Sequence, residues 1–181
     1  MVLIPLAQGC EELEAVTVID LLRRADIKVV TAGLDEQPVR ASRGTVLIPD
    51  TTLDEALQED YEMVVLPGGL PGADYLDQDA RIRTLLLKMA NSEKFTAAIC
   101  AAPKVLAHAG LLHHRKATGY PGVLEGMDLE DVSLEPAAVV RDGKVITSRG
   151  PGTAMEFALA LIEALVGSAK REEVVAGLAR C

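Results

Sequence analysis

Cys100 lies where a buried strand is expected to turn directly into a helix. The apolar run Phe95–Ile99 predicts the strand, and Pro103 suits a first helical turn because the N–H group that proline lacks has no partner there. The thiol would then face backbone N–H groups and the positive end of a helix dipole, which lower a thiol pKa and favour the nucleophilic thiolate. This is the arrangement of a nucleophile elbow, built on cysteine. Cysteine is also a common small core residue, so a purely structural role stays open on these residues alone.

Three carboxylates, Glu11, Glu12 and Glu14, crowd the start of the first predicted helix. Carboxylates there complement the helix dipole, which is one role for the cluster. Glu14 differs because Val18 and Leu21 follow it at i+4 and i+7, so it points along the apolar stripe towards the sheet. A carboxylate there would be desolvated, its pKa would rise, and it could hold a proton at neutral pH. In a parallel sheet this helix start and the cysteine turn both lie at the carboxyl ends of strands, so one pocket could hold a thiolate and a protonated carboxyl.

Two glycine-rich segments could bring backbone groups to a ligand. Gly68 and Gly69 follow the predicted strand Met63–Leu66, where adjacent glycines let N–H groups approach a bound oxygen as an oxyanion hole requires. The same residues, after a proline, are also an ordinary turn. Residues 148–153 could seat an anion, but neither segment fits a G-x-G-x-x-G or Walker A pattern, so no nucleotide site is predicted.

The elements that must position these residues alternate between short apolar runs and stretches of helical period. The predicted strands are Val2–Leu6, Ile27–Thr31, Val46–Ile48, Met63–Leu66, Phe95–Ile99, Ala138–Val140 and Val145–Thr147, and the predicted helices are Glu11–Ala25, Ala80–Ala90, Lys104–Ala109, Thr153–Val166 and Ala169–Cys181. Apolar strands between helices indicate an α/β fold with a mostly parallel sheet covered on both faces. Asp142 and Gly143 predict one antiparallel hairpin. Thr153 with Glu156 predicts a capping box, and Gly167 predicts a left-handed helix cap.

Composition narrows the class of protein. A chain of 181 residues with 49% hydrophobic residues can form one domain, 1–181, without a disulfide or metal staple. The net charge of −9 argues against stable nucleic-acid binding, and no apolar run is long enough to cross a membrane. Three cysteines, an odd number, and a start unlike a signal peptide favour the cytoplasm. The histidines lack ligand spacing to a cysteine or aspartate, which favours a surface helix end over a metal site; they are His108, His113 and His114.

Four motifs occur in a consistent order and spacing: Gly9–Ala15, Val65–Gly69, Ala97–Pro103 and Thr147–Thr153. Together they resemble the ThiJ/PfpI superfamily, and within it the branch that contains bacterial YajL and the human parkinsonism-associated deglycase. The similarity runs in register over nearly the whole chain. The resemblance implies a flavodoxin-like three-layer sandwich, a homodimer, and an oxidation-sensitive nucleophilic cysteine hydrogen-bonded to a protonated glutamate. It also implies glyoxalase activity without glutathione, deglycase action on proteins and nucleotides modified by methylglyoxal or glyoxal, and a chaperone-like role in oxidative stress.

The same resemblance assigns roles by position. Cys100 is the nucleophile, Glu14 is its proton partner, and the N–H groups of Gly69 and Ala101 hold the oxyanion. The remaining implied positions are the pocket residues Glu11, Gly68, Tyr120, Arg149 and Pro151, and Arg24 and Arg43, which match arginines near the dimer interface.

Two positions depart from the wider family. Ala101 stands where the protease-like members have a histidine directly after the cysteine, so peptidase activity is not expected. Tyr120 with Pro121 stands where the human branch has His-Pro, and this pair resembles the bacterial form. A tyrosine with a pKa of about 10 donates a hydrogen bond but is no base at pH 7, which leaves the acid–base work to Glu14.

Two functions from different classes follow. The first is an enzyme in which Cys100 attacks an α-oxoaldehyde or its early adduct with a protein, with no metal or organic cofactor, and which releases lactate or glycolate. The alternative is a redox-sensing holdase regulated by oxidation of Cys100, without physiological catalysis.

Overall fold

The computed structural model describes residues 1–129 and 131–179 of the chain. Its strands, in chain order, are β1 Val2–Leu6, β2 Val29–Gly33, β3 Val39–Arg40, β4 Val46–Leu47, β5 Thr51–Thr52, β6 Met63–Leu66, β7 Phe95–Ile99, β8 Lys116–Ala117, β9 Ser133–Leu134, β10 Val139–Asp142 and β11 Val145–Ser148. Its helices are α1 Glu12–Arg24, α2 Leu53–Ala56, α3 Gly72–Gln78, α4 Ala80–Asn91, α5 Pro103–His108, α6 Ala154–Val166 and α7 Ser168–Gly177.

The central sheet has seven strands in the order β10-β11-β7-β6-β1-β2-β5, and every neighbouring pair except β10 and β11 is parallel. The chain passes from β1 through α1 to β2 in one direction along the sheet, and from β6 through α3 and α4 to β7 in the other. Because such crossovers are right-handed, the two directions place α1 on one face and α3 and α4 on the opposite face. The predicted flavodoxin-like α/β sandwich is therefore confirmed.

This topology places four loops side by side at the carboxyl edge of the sheet. They follow the adjacent strands β1, β6, β7 and β11, and they lead to Glu14, Gly68, Cys100 and Arg149 respectively. In open α/β sheets, ligands bind outside the carboxyl ends of the strands where the direction of crossing reverses. Residues that are far apart in the sequence thus lie at one edge.

The helices that cover the sheet bury their apolar sides. In α1 the residues Ala15, Val18 and Leu22 are buried, and this helix packs against α6, where Phe157 and Ile162 are fully buried. Burial of such side chains contributes on the order of 1.5–3 kcal/mol each, so this layer holds the start of α1 firmly against the sheet. Among the described residues, none of the helices is both long and apolar enough to span a membrane.

Most predicted element bounds are confirmed or shift by one or two residues. The bounds of β1, β6 and β7 are as predicted, and Asp142 pairs with Val145 in the predicted antiparallel hairpin. The second strand begins at Val29 rather than Ile27 because the chain first turns at Asp26, whose φ is 59°, and the Ile27 N–H donates to Leu22 O at 3.1 Å.

Three local predictions are wrong or incomplete. The segment predicted as a strand at Val46–Ile48 pairs only with β3, in a small separate hairpin, and Ile48 is 83% exposed, so its apolar residues do not join the main sheet. The capping box of Thr153 is absent, because its hydroxyl accepts a hydrogen bond from the Gly150 N–H at 3.1 Å instead of from an N–H group of α6. Gly167 has the expected positive φ of 92°, but its ψ of 169° is extended rather than left-handed helical.

Other differences concern short or terminal elements. The helices α2 and α3 and the strands β3, β5, β8 and β9 were not predicted, since each is too short to show a clear apolar period. The predicted helix Ala169–Cys181 is observed at Ser168–Gly177, and the last two residues of that prediction lie outside the described residues.

Candidate active site

Cys100 forms a strained turn between β7 and α5. Its φ is 64°, in the left-handed region that L-residues other than glycine rarely adopt. The turn is held by main-chain hydrogen bonds, in which the Cys100 N–H donates to Ser148 O at 3.0 Å and the Tyr120 N–H donates to Cys100 O at 2.8 Å. Pro103 occupies the first turn of α5 as predicted, and the Cys100 side chain is 9% exposed. A reactive side chain on a strained strand-to-helix turn is the geometry of a nucleophile elbow.

Two main-chain N–H groups point at the Cys100 sulfur. They belong to Gly69 and Ala101, and both act to lower the pKa of the thiol. Gly69 has a φ of 87°, and a Cβ atom built on it would lie 2.4 Å from Glu11 N, so only glycine fits there. The same two donors are positioned to hold the oxygen of a tetrahedral adduct on the sulfur.

Glu14 is the fully buried carboxyl of the site. Its Oε2 accepts a hydrogen bond from the Gly68 N–H at 2.9 Å, and its Oε1 has no hydrogen-bond partner among the described residues. Burial raises the pKa of Glu14 to about 7, against opposing effects of the Cys100 thiol and the Gly68 N–H. The helical register of the sequence predicts both this orientation and this direction. Burial therefore favours the protonated form of the Glu14 carboxyl.

The predicted direction of the Cys100 pKa is wrong. Burial, followed by the negative charge of Glu14, raises the pKa of the Cys100 thiol to about 12, and the two N–H donors do not offset this effect. Both groups resist ionisation beside each other, so near neutral pH the pair carries at most one negative charge. A Cys100 thiolate therefore forms when the proton of the thiol moves to Glu14. The N–H groups of Gly69 and Ala101 favour the thiolate, whereas the N–H group of Gly68 favours the Glu14 carboxylate.

Gly68 separates the two reactive side chains by the width of its backbone. A Cβ atom built on it would lie 2.5 Å from Cys100 Cβ, 2.7 Å from Glu14 Oε2 and 2.9 Å from Ile99 O. Any side chain at this position would displace the thiol or the carboxyl. Gly68 is thus required by close approach, whereas Gly69 is also required by its backbone conformation.

The side of the site formed by the loop after β3 is acidic. Glu11 is buried, and its Oε2 accepts a hydrogen bond from Ser42 Oγ at 2.6 Å and lies 4.0 Å from Arg43 Nε. The Glu11 charge also acts to raise the pKa of Glu14. Arg43 itself is largely exposed, and Arg24 lies on the outer surface of α1, where it pairs with Asp20 at 2.7 Å.

On the opposite side, Tyr120 packs against Gly150. A Cβ atom built on Gly150 would lie 3.2 Å from Tyr120 Cδ2 and 4.0 Å from Cys100 Sγ. Pro151 follows in a 3₁₀ turn, Pro151–Thr153, that leads into α6. Arg149 lines a neighbouring cavity of about 120 Å³ together with Glu125 and Glu135.

Comparison with known protein families identifies the family of this chain, because residues 1–164 match the DJ-1/PfpI family. The chain belongs to the DJ-1/PfpI family. It is 42% identical over 177 residues to dj-1beta of Drosophila melanogaster, and the match covers 97% of this chain and 95% of that relative. The crystal structure of the Drosophila protein superposes with a TM-score of 0.95 at 41% identity, covering 99% of this chain and 97% of the other.

Two further DJ-1 relatives bear on function. The chain is 33% identical over 175 residues to the glutathione-independent glyoxalase DJR-1.2 of Caenorhabditis elegans, and the match covers 97% of this chain and 92% of that enzyme. A structure of oxidized DJ-1 from Toxoplasma gondii superposes with a TM-score of 0.93 at 37% identity, covering 98% of this chain and 96% of the other. The ThiJ/PfpI resemblance of the four sequence motifs is thereby confirmed.

In this DJ-1/PfpI chain, sequence reasoning did not single out Ser42 or Gly150 for the site. Ser42 is polar and lies in the segment Ala41–Arg43, but only the folded hairpin brings its hydroxyl to Glu11. The repeated glycines Gly150 and Gly152 were a signal for close approach, although nothing in the sequence names Tyr120 as the neighbour of Gly150. The histidines lie elsewhere: His108 pairs with Asp77 at 2.8 Å, and His113 pairs with Asp131 at 3.0 Å.

Proposed function

We propose that this DJ-1/PfpI member is a cysteine-dependent, glutathione-independent glyoxalase that also acts on early adducts of methylglyoxal or glyoxal with proteins. The observation that supports this function best is the buried Cys100 thiol, which lies beside the Glu14 carboxyl and accepts hydrogen bonds from two main-chain N–H groups. The named activity of the Caenorhabditis relative is of the same general kind.

The proposed reaction needs no external oxidant. The Cys100 thiolate attacks the aldehyde carbon, and the oxyanion of the resulting hemithioacetal is held by the N–H groups of Gly69 and Ala101. Glu14 gives the proton it received from the thiol to this oxyanion and thereby becomes a carboxylate. It then removes the proton from the former aldehyde carbon through Oε1, which has no hydrogen-bond partner among the described residues, and returns it to the neighbouring carbon, while the hydroxyl proton moves to the neighbouring oxygen. The first carbon is oxidised as the second is reduced, which gives a thioester of the hydroxy acid. Water then cleaves the thioester, releases lactate from methylglyoxal or glycolate from glyoxal, and regenerates the thiol.

The first test follows lactate formation from methylglyoxal by NMR. Wild type and Cys10→Ser are expected to turn over, because Cys10 is fully buried, out of reach of an aldehyde, whereas Cys100 lies on the strained turn. Cys100→Ser is expected to be inactive. Equal turnover by wild type and Cys100→Ser would exclude the proposed mechanism.

Deglycase action needs a separate test, because adducts release free aldehyde spontaneously. Lactate formation from a preformed adduct of methylglyoxal with N-acetylcysteine is compared with the rate expected from the free aldehyde present. A rate above that limit supports direct action on the adduct. A rate equal to that limit would mean that the protein acts on the free aldehyde and has glyoxalase activity only.

The second proposed function is that of a redox-sensing holdase. Its support is the placement of a proton-donating carboxyl beside a thiol at a partly accessible turn, since such a group stabilises an oxidised sulfinate. Intact-mass analysis after mild peroxide should show two added oxygens, and peptide mapping should place them on Cys100 and not on Cys181 or Cys10. Oxidation elsewhere first would contradict this proposal.

We also propose that the protein acts as a homodimer in the cytoplasm. Support for the dimer comes from α1, whose outer face exposes Leu13 by 50% and Val16 by 45%. Two apolar side chains one turn apart on the solvent side of a helix are typical of a contact surface. Light scattering during gel filtration tests this, and Leu13→Glu should give the monomer mass.

A further inference from the structure

Tyr120 and Gly150 together form a wall beside the Cys100 thiol, here called the Tyr120 wall. A Cβ atom built on Gly150 would lie 3.2 Å from Tyr120 Cδ2, 3.7 Å from Tyr120 Cε2 and 4.0 Å from Cys100 Sγ. A carbon atom at that point would be in tight contact with the aromatic ring and in van der Waals contact with the sulfur. The ring and the thiol therefore border the same small space beside Gly150.

The main chain of Tyr120 is bound directly to the main chain of the nucleophile. The Tyr120 N–H donates to Cys100 O at 2.8 Å, and Tyr120 O accepts from the Val123 N–H at 3.0 Å. Gly122, with a φ of 87°, closes the turn, and its N–H donates to Glu125 Oε2 at 3.0 Å. Tyr120 is 50% exposed, and the Cδ2–Cε2 edge of its ring lies next to Gly150. The ring thus borders the approach to the sulfur and is attached to the elbow itself.

We propose that the Tyr120 ring determines substrate size by limiting the substituent on the carbonyl that Cys100 attacks. This inference rests on the proposed glyoxalase function and narrows it. The hydrogen of glyoxal and the methyl group of methylglyoxal fit beside the ring. A phenyl substituent meets the ring before the carbonyl carbon reaches the sulfur. Among the free α-oxoaldehydes, the favoured substrates are therefore the short-chain ones.

The test compares kcat/KM for phenylglyoxal and methylglyoxal. In Tyr120→Ala the ratio of phenylglyoxal to methylglyoxal should rise about 10-fold or more, the size of effect expected when a hydrophobic pocket gains room. In Tyr120→Phe the ratio should stay within about twofold, since the ring remains and only the hydroxyl is lost. Tyr75→Ala, which removes a comparably exposed tyrosine outside the site, should leave the ratio unchanged. An unchanged ratio in Tyr120→Ala, or an equal rise in Tyr120→Phe, would overturn the inference.

Gly150→Ala tests the same wall in the opposite direction. The φ of Gly150 is 165°, which is extended backbone that any residue adopts, so the added methyl group changes the space and not the conformation. The ratio of kcat/KM for methylglyoxal to that for glyoxal should fall. A ratio equal to that of the wild type would contradict the proposed size limit.

A measurement that does not depend on catalysis separates this inference from the proposed function. The rates at which iodoacetamide and the bulkier N-phenylmaleimide label Cys100 are followed by peptide mass mapping in wild type and Tyr120→Ala. A selective gain for N-phenylmaleimide supports the wall even if the wild type turns over no α-oxoaldehyde, in which case only the glyoxalase proposal fails. An equal increase in the labelling rates of both reagents would contradict the inference that the Tyr120 wall limits size.

Discussion

Glu12 and Glu14 lie two residues apart in the first turn of α1, but they face opposite surroundings. Against a desolvation effect, hydrogen bonds from the N–H groups of Glu12, Arg43 and Thr45 lower the pKa of Glu12 to about 2. Burial raises the pKa of Glu14 to about 7. Both residues are at the positive end of the same helix dipole, so the dipole does not account for the difference in pKa. The difference follows from the helix face on which each residue lies. Glu12 on the outer face meets several N–H donors and solvent, whereas Glu14 on the inner face meets one N–H group and a thiol.

The largest expected effect separates the two faces by activity. Glu14→Gln keeps the volume of the side chain but cannot accept and return a proton, so turnover of methylglyoxal should fall by about 10²–10⁴-fold. Glu12→Gln should retain turnover within a few-fold, because Glu12 contacts the hairpin loop and not the thiol. Steady-state kinetics of the two variants provide the comparison. Similar losses in both would show that the acidic cluster acts as a whole.

The pH dependence of stability should have opposite signs at the two residues. The Glu14 carboxyl titrates at about 7 when folded and at about 4.5 when unfolded, so the unfolded state loses its proton first and this group destabilises the fold as pH rises between these values. Converted at 1.36 kcal/mol per pKa unit, Glu14→Gln should gain up to about 3 kcal/mol relative to wild type between pH 4 and pH 8. The stabilisation from Glu12 is present above about 4.5 and is lost as pH falls towards 2. Urea unfolding of wild type, Glu14→Gln and Glu12→Gln from pH 2 to pH 8 measures both effects. Profiles that run parallel for all three proteins would contradict the assignment.

The smallest expected effect concerns the outer face alone. Ser42→Ala removes a hydroxyl that donates to Glu11 Oε2 at 2.6 Å and lies 3.2 Å from Glu12 Oε2. The loss of such a hydrogen bond should cost about 1 kcal/mol, which lowers the melting temperature of a chain of this size by about 2–4 °C. Differential scanning calorimetry checks the shift. A loss of turnover as large as that of Glu14→Gln would show that the outer face also carries the chemistry.

The sequence predicts the parts of this site that depend on local pattern. A strand followed by Cys100 and Pro103 predicts the elbow, and the apolar period of α1 predicts that Glu14 faces inward. The raised pKa of Cys100 could not be predicted in this way, because it depends on burial and on the charge of a residue 86 positions earlier in the chain.

The contacts at the mouth of the site depend on folding over long distances. Ser42 reaches Glu11 only after the β3–β4 hairpin forms, and Tyr120 reaches Gly150 only through the turn that follows β8. For Arg149, whose motif position implies the thiol pocket, the structure shows that it lines the neighbouring cavity with Glu125 and Glu135. Motif spacing thus predicts the edge of the sheet at which a residue lies, but not the cavity that its side chain lines.

The left-handed backbone at Cys100 also constrains how this sequence can change over evolution. A residue with a Cβ atom in that conformation costs about 1–2 kcal/mol, and glycine alone avoids the cost. A lineage that no longer needed the thiol would gain stability by drifting to glycine at this position, without any other change in the fold. Retention of a non-glycine residue at the elbow is therefore a sign of selection for the side chain, and descendants with glycine there would be expected to keep the sandwich and to have lost the chemistry.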